Sequence, residues 1–307
     1  VYNVLLKHRY QVGMAESVAL SNVSFVEPAT QPKKDDSKHK KPSLWINFIM
    51  AVLMGLIFGI GGTLFIEYLD DTIKNKKDIK AISEINFLGS VLELKKRAPR
   101  LISRMDPGYP FNEGIRTIRN GIKYAFGDGK LKSIVVTSSL ENEGKSFFAT
   151  NLAISVASEG KRVLIIDDDL RKPSIHNYFG LSEEIGLADY LIGNAESKDL
   201  ECKTDIEGLS IIATGSIPRD PGKLVETDKL KKLVIQMADV YDLVIVDTPS
   251  LMTASDAIVL GRFTDGTIMV IQGGRVSHDH LFDILEKFNQ AKVRLIGVVL
   301  NRIREHV

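Results

Sequence analysis

SIVVTSSLENEGKS, residues 133–146, decides how this chain is read. Its first six residues form a short apolar, β-branched run, which reads as a strand buried on both faces. The run passes into Ser139, Leu140, Glu141, Asn142, Glu143, Gly144, Lys145 and Ser146, and from 145 to 158 the pattern turns helical. A strand, a loop ending in Gly-Lys-Ser and a helix together make a phosphate-binding loop. Backbone N–H groups of the loop and helix N-terminus face the phosphates, Lys145 adds a point charge, and the Ser146 hydroxyl can ligate Mg²⁺. Ser139 stands where the usual motif has its first glycine, while the spacing to Gly144, Lys145 and Ser146 is intact. Gly-Lys-Ser occurs by chance, so its placement between strand and helix carries the argument.

Outward from this stretch, strands and helices alternate. Strands are expected at 133–138, 162–167, 209–213, 243–247, 266–271 and 294–300, and helices at 111–125, 145–158, 227–239, 254–263 and 277–291. The strands are nearly continuous in apolar residues. This predicts an α/β fold, a mainly parallel sheet doubly wound by helices as in P-loop NTPases, with ligands at the carboxyl ends of its strands.

Two of those ends carry carboxylates. VLIIDDDLR closes on Asp167, Asp168 and Asp169. Three adjacent carboxylates repel one another, and Mg²⁺ beside a phosphate supplies a counter-ion; pleat alternation pairs Asp167 with Asp169 on one side. LVIVD ends at Asp247, followed by Thr248 and Pro249, which fits a Walker B carboxylate holding Mg²⁺ directly or through water. Ser146, Asp167 and Asp247 are therefore the candidate metal ligands. Asp167 or Asp169 is the candidate base, and Ser139, Glu143, Gly144, Lys145 and Ser146 are the candidate ATP-binding residues.

The chain has 307 residues, 44% hydrophobic and 26% charged, with 40 basic and 39 acidic side chains and a net charge of +1. That balance gives no reason to expect nucleic acid as a partner. The single cysteine, Cys202, excludes an intrachain disulfide framework. Residues 44–66, LWINFIMAVLMGLIFGIGGTLFI, carry no charge. At 1.5 Å per residue such a helix spans the ~30 Å hydrocarbon core. Lysines flank it on both sides, so charge gives no orientation; an ATP site facing the cytoplasm would put the C-terminal side inside. Residues 28–43 read as an irregular linker, residues 67–80 as an amphipathic helix, and residues 86–110 as a short strand followed by a flexible tether. His278 and His280 read as a solvated turn.

The P-loop, an apolar strand ending in Asp-x-Asp-x-Arg (Asp167, Asp169, Arg171) and a second ending in Asp-x-x-Pro resemble the bacterial tyrosine kinases. These are P-loop proteins related to the MinD/ParA ATPases. Glu113, Arg116 and Arg119 match the family's Glu-x-x-Arg-x-x-Arg motif, which implies contacts between neighbouring subunits in a homo-oligomeric ring; their spacing alone places them on one helical face. Asn301 falls where relatives place an adenine-contacting Asn. The membrane helix and residues 1–27 resemble the polysaccharide co-polymerases.

The resemblance implies an ATP- and Mg²⁺-dependent protein-tyrosine autokinase of the bacterial inner membrane. Its catalytic domain is cytoplasmic, and its partners are the polysaccharide polymerisation and export machinery. The chain divides into the end of an extracytoplasmic chain-length domain with its linker (1–43), a membrane span (44–66), a juxtamembrane linker (67–110) and a P-loop kinase domain (111–307). Both ends read as cut. The family's C-terminal tyrosine cluster has no counterpart, since the last tyrosine is Tyr241. A MinD/ParA-like ATPase switch and a non-catalytic co-polymerase scaffold are the alternatives, although residues 139–143 lack the lysine that such ATPases carry early in the loop.

Overall fold

The computed structural model describes residues 2–19, 44–82, 85–94, 98, 100–106, 108–127, 130–181 and 185–303. The linker expected over 28–43 lies outside them. Residues 1–69 and 70–307 form separate compact units.

The first unit contains two helices, α1 (Tyr2–Ala19) and α2 (Leu44–Leu69). α2 has a mean hydropathy of 2.4 and none of it is buried. It is long and apolar enough to cross a membrane, and it continues three residues past the expected Ile66.

The second unit is built on an eight-stranded sheet. In chain order its elements are α3 (Lys76–Ile82), β1 (Phe87–Leu92), α4 (Pro110–Phe126), β2 (Ser133–Ser138), α5 (Lys145–Ala157), β3 (Val163–Asp167), α6 (Ile175–Phe179), α7 (Leu187–Ile192), β4 (Glu201–Lys203), β5 (Leu209–Ile212), α8 (Pro221–Val225), α9 (Asp228–Val240), β6 (Leu243–Asp247), α10 (Asp256–Gly261), β7 (Gly266–Gln272), α11 (His278–Gln290) and β8 (Leu295–Ile303). Across the sheet the order is β1-β8-β7-β2-β6-β3-β5-β4. All neighbours are parallel except the β4–β5 pair.

The strands formed where expected because both faces are covered. On β2, Ile134 and Val136 pack with α4 and α5 residues, including Phe111, Ile115 and Phe148, while Val135 faces Leu230 and Leu233 of α9. On β7, Ile268 and Val270 join the first face, whereas Met269 and Ile271 face α11 through Leu281, Ile284 and Phe288. Successive residues alternate between two cores, which is why the runs are nearly continuous in apolar residues. Each fully buried Ile, Leu or Phe contributes roughly 1.5–3 kcal/mol.

Two expectations are corrected. Residues 67–80 are not one helix: α2 ends at Leu69 and α3 begins at Lys76. The break is held by the Asp78 carboxylate, which accepts from Lys74 N (2.8 Å) and Asn75 N (3.0 Å). Nor is 67–110 a linker outside the fold. β1 pairs in parallel with β8, and Ile79 of α3 packs on the α11 side. α4 lies so close to β1 that a Cβ at Gly121 would come 2.9 Å from Leu88 O. His278 begins α11 with Nδ1 2.7 Å from Asp71 Oδ1, an exposed pair.

Candidate active site

β2 sits between β6 and β7 with β3 beyond β6, so the C-terminal ends of β2, β3 and β6 are neighbours. Asp167 and Asp247 are paired across β3 and β6, and Asp247 pairs with Val136 of β2. The loop after β2 therefore opens directly onto both carboxylates, at a crevice where α/β sheets bind ligands.

The loop braces itself. Glu143 is fully buried, and its carboxylate accepts from Ser139 Oγ (2.8 Å), Leu140 N (2.7 Å) and Gln272 N (2.9 Å). Burial raises the Glu143 pKa against the pull of those bonds. Ser139 is tolerated in place of glycine because its φ is not positive; the left-handed positions are Asn142 (φ 63°) and Gly144 (φ 88°). Gly144 is required twice over, by its φ and by Asn301 Nδ2, which a Cβ there would strike. Asn301, 2% exposed, donates from Nδ2 to Glu143 O at 2.8 Å. Ser139, Glu143 and Asn301 thus shape the loop through their side chains and leave its backbone to meet a ligand.

Lys145 begins α5 with its side chain 14% exposed. Its Nζ lies 2.7 Å from Asp169 Oδ2, 3.7 Å from Asp247 Oδ2 and 3.2 Å from Ser146 Oγ. Burial alone would depress its pKa, but the charges of Asp247 and Asp169 outweigh it, so the ammonium is held more firmly protonated. Asp167 is pushed up to about 6 by burial, partly offset by the N–H groups of Ile175 and Ser174, each 3.0 Å from Oδ2. Asp247 is pushed up to about 7, again by burial first, with Lys145 pulling it down and Asp167 pushing it up; Ser146 also pulls it down without reaching hydrogen-bond geometry. Burial raises Asp168 well above the usual range, and among the charges that add to this the strongest is Asp256, itself ion-paired to Arg171 at 2.8 Å.

Asp167 Oδ1 and both Asp247 oxygens are buried without a hydrogen-bond partner. Buried carboxylate oxygens seldom stay orphaned, and a hard cation satisfies them. With the Ser146 hydroxyl alongside, the donor set fits Mg²⁺, which keeps several waters and takes one or two carboxylates. Among the described residues no group of three or more His, Cys, Asp or Glu forms a metal cage.

A cavity of about 500 Å³ covers the site, lined by Gly144, Lys145, Ser146 and Asp169 and extending to Asn301 and Tyr178. Its mouth is tied by Glu141, which takes the ammonium of Lys172 at 2.5 Å and the Thr253 hydroxyl at 3.0 Å. Sequence reasoning missed this tie, as well as Tyr178 and Arg100, because none of them sits in a spaced motif.

The expectation for α4 is corrected in part. Glu113 and Arg116 are exposed and paired at 3.4 Å. Arg119 is 9% exposed; it donates to Ser155 O at 2.6 Å and pairs with Glu159 at 2.9 Å, both within the chain. It locks α4 to α5 and does not share the exposed face.

Fold and site define a P-loop nucleotide-binding domain. Residues 134–307 match the family model described as the CobQ/CobB/MinD/ParA nucleotide binding domain. The chain belongs to that family and, within it, to the bacterial tyrosine-protein kinases. It is 34% identical over 211 residues to the tyrosine-protein kinase YwqD of Bacillus subtilis, covering 67% of this chain and 89% of the relative. It is 28% identical to the tyrosine-protein kinase ptk of Acinetobacter johnsonii over 99% of this chain but 42% of the relative, so it spans less than half of that longer protein. The kinase domain of Escherichia coli tyrosine kinase ETK superposes on 76% of this chain and 96% of its own length, with a TM-score of 0.71 and 26% identity.

Proposed function

We propose that the domain transfers the γ-phosphoryl group of Mg²⁺-bound ATP to a tyrosine hydroxyl. The observation that carries this reading is the convergence of Lys145, Ser146, Asp167, Asp169 and Asp247 at one crevice, with buried carboxylate oxygens left unsatisfied, in a chain of tyrosine-kinase kinship. In such transfer the protein positions and stabilises charge. The loop amides and Lys145 hold the β- and γ-phosphates. Lys145 leaves Asp169 for the phosphates when ATP enters, which frees that carboxylate. Ser146, Asp167 and Asp247 would hold Mg²⁺ directly or through water, and the ion would supply positive charge against that of the phosphates. The phenol oxygen attacks the γ-phosphorus, the bond to the β-phosphate oxygen breaks, and the phenolic proton passes to Asp169 or Asp167. A phenol with a pKa near ~10 needs such a base close by.

α2 anchors the chain in the bacterial inner membrane with this domain on the cytoplasmic side, where ATP is. Exposed Glu113 and Arg116 meet neighbouring subunits in a ring, and Arg119 stays intramolecular. The process served is polysaccharide synthesis and export, on the strength of the resemblance along the chain. Nucleotide titration with and without Mg²⁺ tests the site: affinity should rise with the metal and fall in Lys145→Met. Equal affinity in all three would overturn the P-loop assignment.

A further inference from the structure

The nucleotide site has two flanks, and the sheet order separates them. Asn301 lies near the end of β8, on the β7 side of β2, while Tyr178 lies in α6 after β3, on the β6 side. Asn301, the expected adenine contact, therefore occupies one flank, and the carboxylates Asp167 and Asp247 lie toward the other. On that other flank the cavity wall is aromatic. Phe147, the third residue of α5, has its ring centroid 6.3 Å from that of Tyr178, tilted by 53°, and both line the cavity. Phe147 is backed in turn by buried Phe111 at 5.2 Å. Arg100 closes the same stretch of wall. Burial raises the Tyr178 phenol pKa, with Asp247 adding to it and Arg100 and Lys145 opposing, and Asp169 lines the same cavity.

We infer that Phe147 and Tyr178 form the subsite for the acceptor's aromatic ring and thereby select tyrosine over serine or threonine; this rests on the kinase reading above. A serine hydroxyl is two bonds from its Cα and brings no ring to seat on this wall. A phenol carries its hydroxyl across a ring, and that ring is what two tilted aromatic faces hold. The wall stands beside the carboxylates that take the proton, so a ring seated on it delivers its oxygen where the base is. Arg100, which also lines the cavity, is a cation that can meet the charge the phosphorylated product acquires.

The test compares wild type, Tyr178→Leu, Tyr178→Phe and Phe147→Leu as full chains, with a tyrosine peptide and its serine counterpart as acceptors. Nucleotide affinity is measured in parallel and reports folding as well. The expected result is a rise of about three- to tenfold in KM for the tyrosine peptide in Tyr178→Leu, the size of an aromatic contact. Nucleotide affinity should stay level, and Tyr178→Phe should recover most of the loss because the ring is what matters. Phe147→Leu should behave like Tyr178→Leu. An unchanged KM in both leucine variants, or an equal loss of nucleotide affinity, overturns the subsite. So does Tyr178→Phe as poor as Tyr178→Leu, which would mean the hydroxyl acts, or wild-type transfer to serine as fast as to tyrosine. Wild type that binds ATP and modifies neither peptide would instead defeat the kinase reading, and the subsite with it.

Discussion

Asp167 and Asp247 are direct partners across β3 and β6, both fully buried, with Lys145 as the cation between them and the loop. Two carboxylates at paired positions at the ends of adjacent strands are a costly arrangement for a ligand-free protein, and that cost is measurable.

Burial pushes Asp247 up to about 7 in the folded protein, against 3.8 for the unfolded chain. Between those values the folded state holds the extra proton, so ligand-free stability falls as pH rises through the window. Below it no penalty acts, and above it the full penalty acts. Asp247→Asn removes the ionisation, so the variant should gain stability over wild type at pH 8 by a few kcal/mol at most, each pKa unit being about 1.36 kcal/mol. Urea unfolding at pH 5 and pH 8 without nucleotide checks this: the gain should be larger at pH 8. A variant less stable at both would show that Asp247 is structural.

Lys145→Met should lower nucleotide affinity about tenfold or more, a loss of about 1.4 kcal/mol per factor of ten. In the ligand-free state it also strips Asp169 and Asp247 of their cation, so it should lower stability near neutral pH and less so in acid. Calorimetric titration and a thermal melt read the two effects separately.

Asp169→Asn should slow phosphoryl transfer by at least about a hundredfold, the usual scale of a lost general base, while nucleotide affinity changes little. A variant that transfers at the original rate would remove Asp169 from the chemistry and leave Asp167 as the base.

Arg119 and Arg116 should separate cleanly. Arg119→Ala breaks a nearly buried set of bonds to Ser155 and Glu159 and should cost about 1–3 kcal/mol of stability. Arg116→Ala removes an exposed pair worth about 0–1 kcal/mol and should act on the oligomer alone. Unfolding curves and light scattering on the detergent-solubilised chain distinguish them. An unchanged mass for Arg116→Ala would count against the ring contact.

The core strands were legible because strands buried on both faces leave unbroken apolar runs, as in Leu243–Asp247. β4 was not: Glu201 and Lys203 are exposed around half-buried Cys202, so no apolar signal marks it. α6, α7 and α8 have five or six residues each, too few for a helical period to show. The strand β1 could be read, but its place beside β8 is a pairing across some two hundred residues that no local pattern carries. The site carboxylates were legible from their position at strand ends. The inward turn of Arg119 was not, since each three-residue step falls short of a full turn and two steps carry it about 120° round from Glu113. Glu143 and Asn301 were found as site positions, but only the folded loop shows that their side chains hold its shape.

The most direct test of the account is phosphotyrosine formed on a separate tyrosine-rich peptide by the purified chain with ATP and Mg²⁺, using Lys145→Met as the blank. The account predicts peptide phosphotyrosine that grows with time and is absent from the blank. Steady phosphate release without phosphotyrosine would make the domain an ATPase switch, and bound ATP with neither product would contradict transfer altogether.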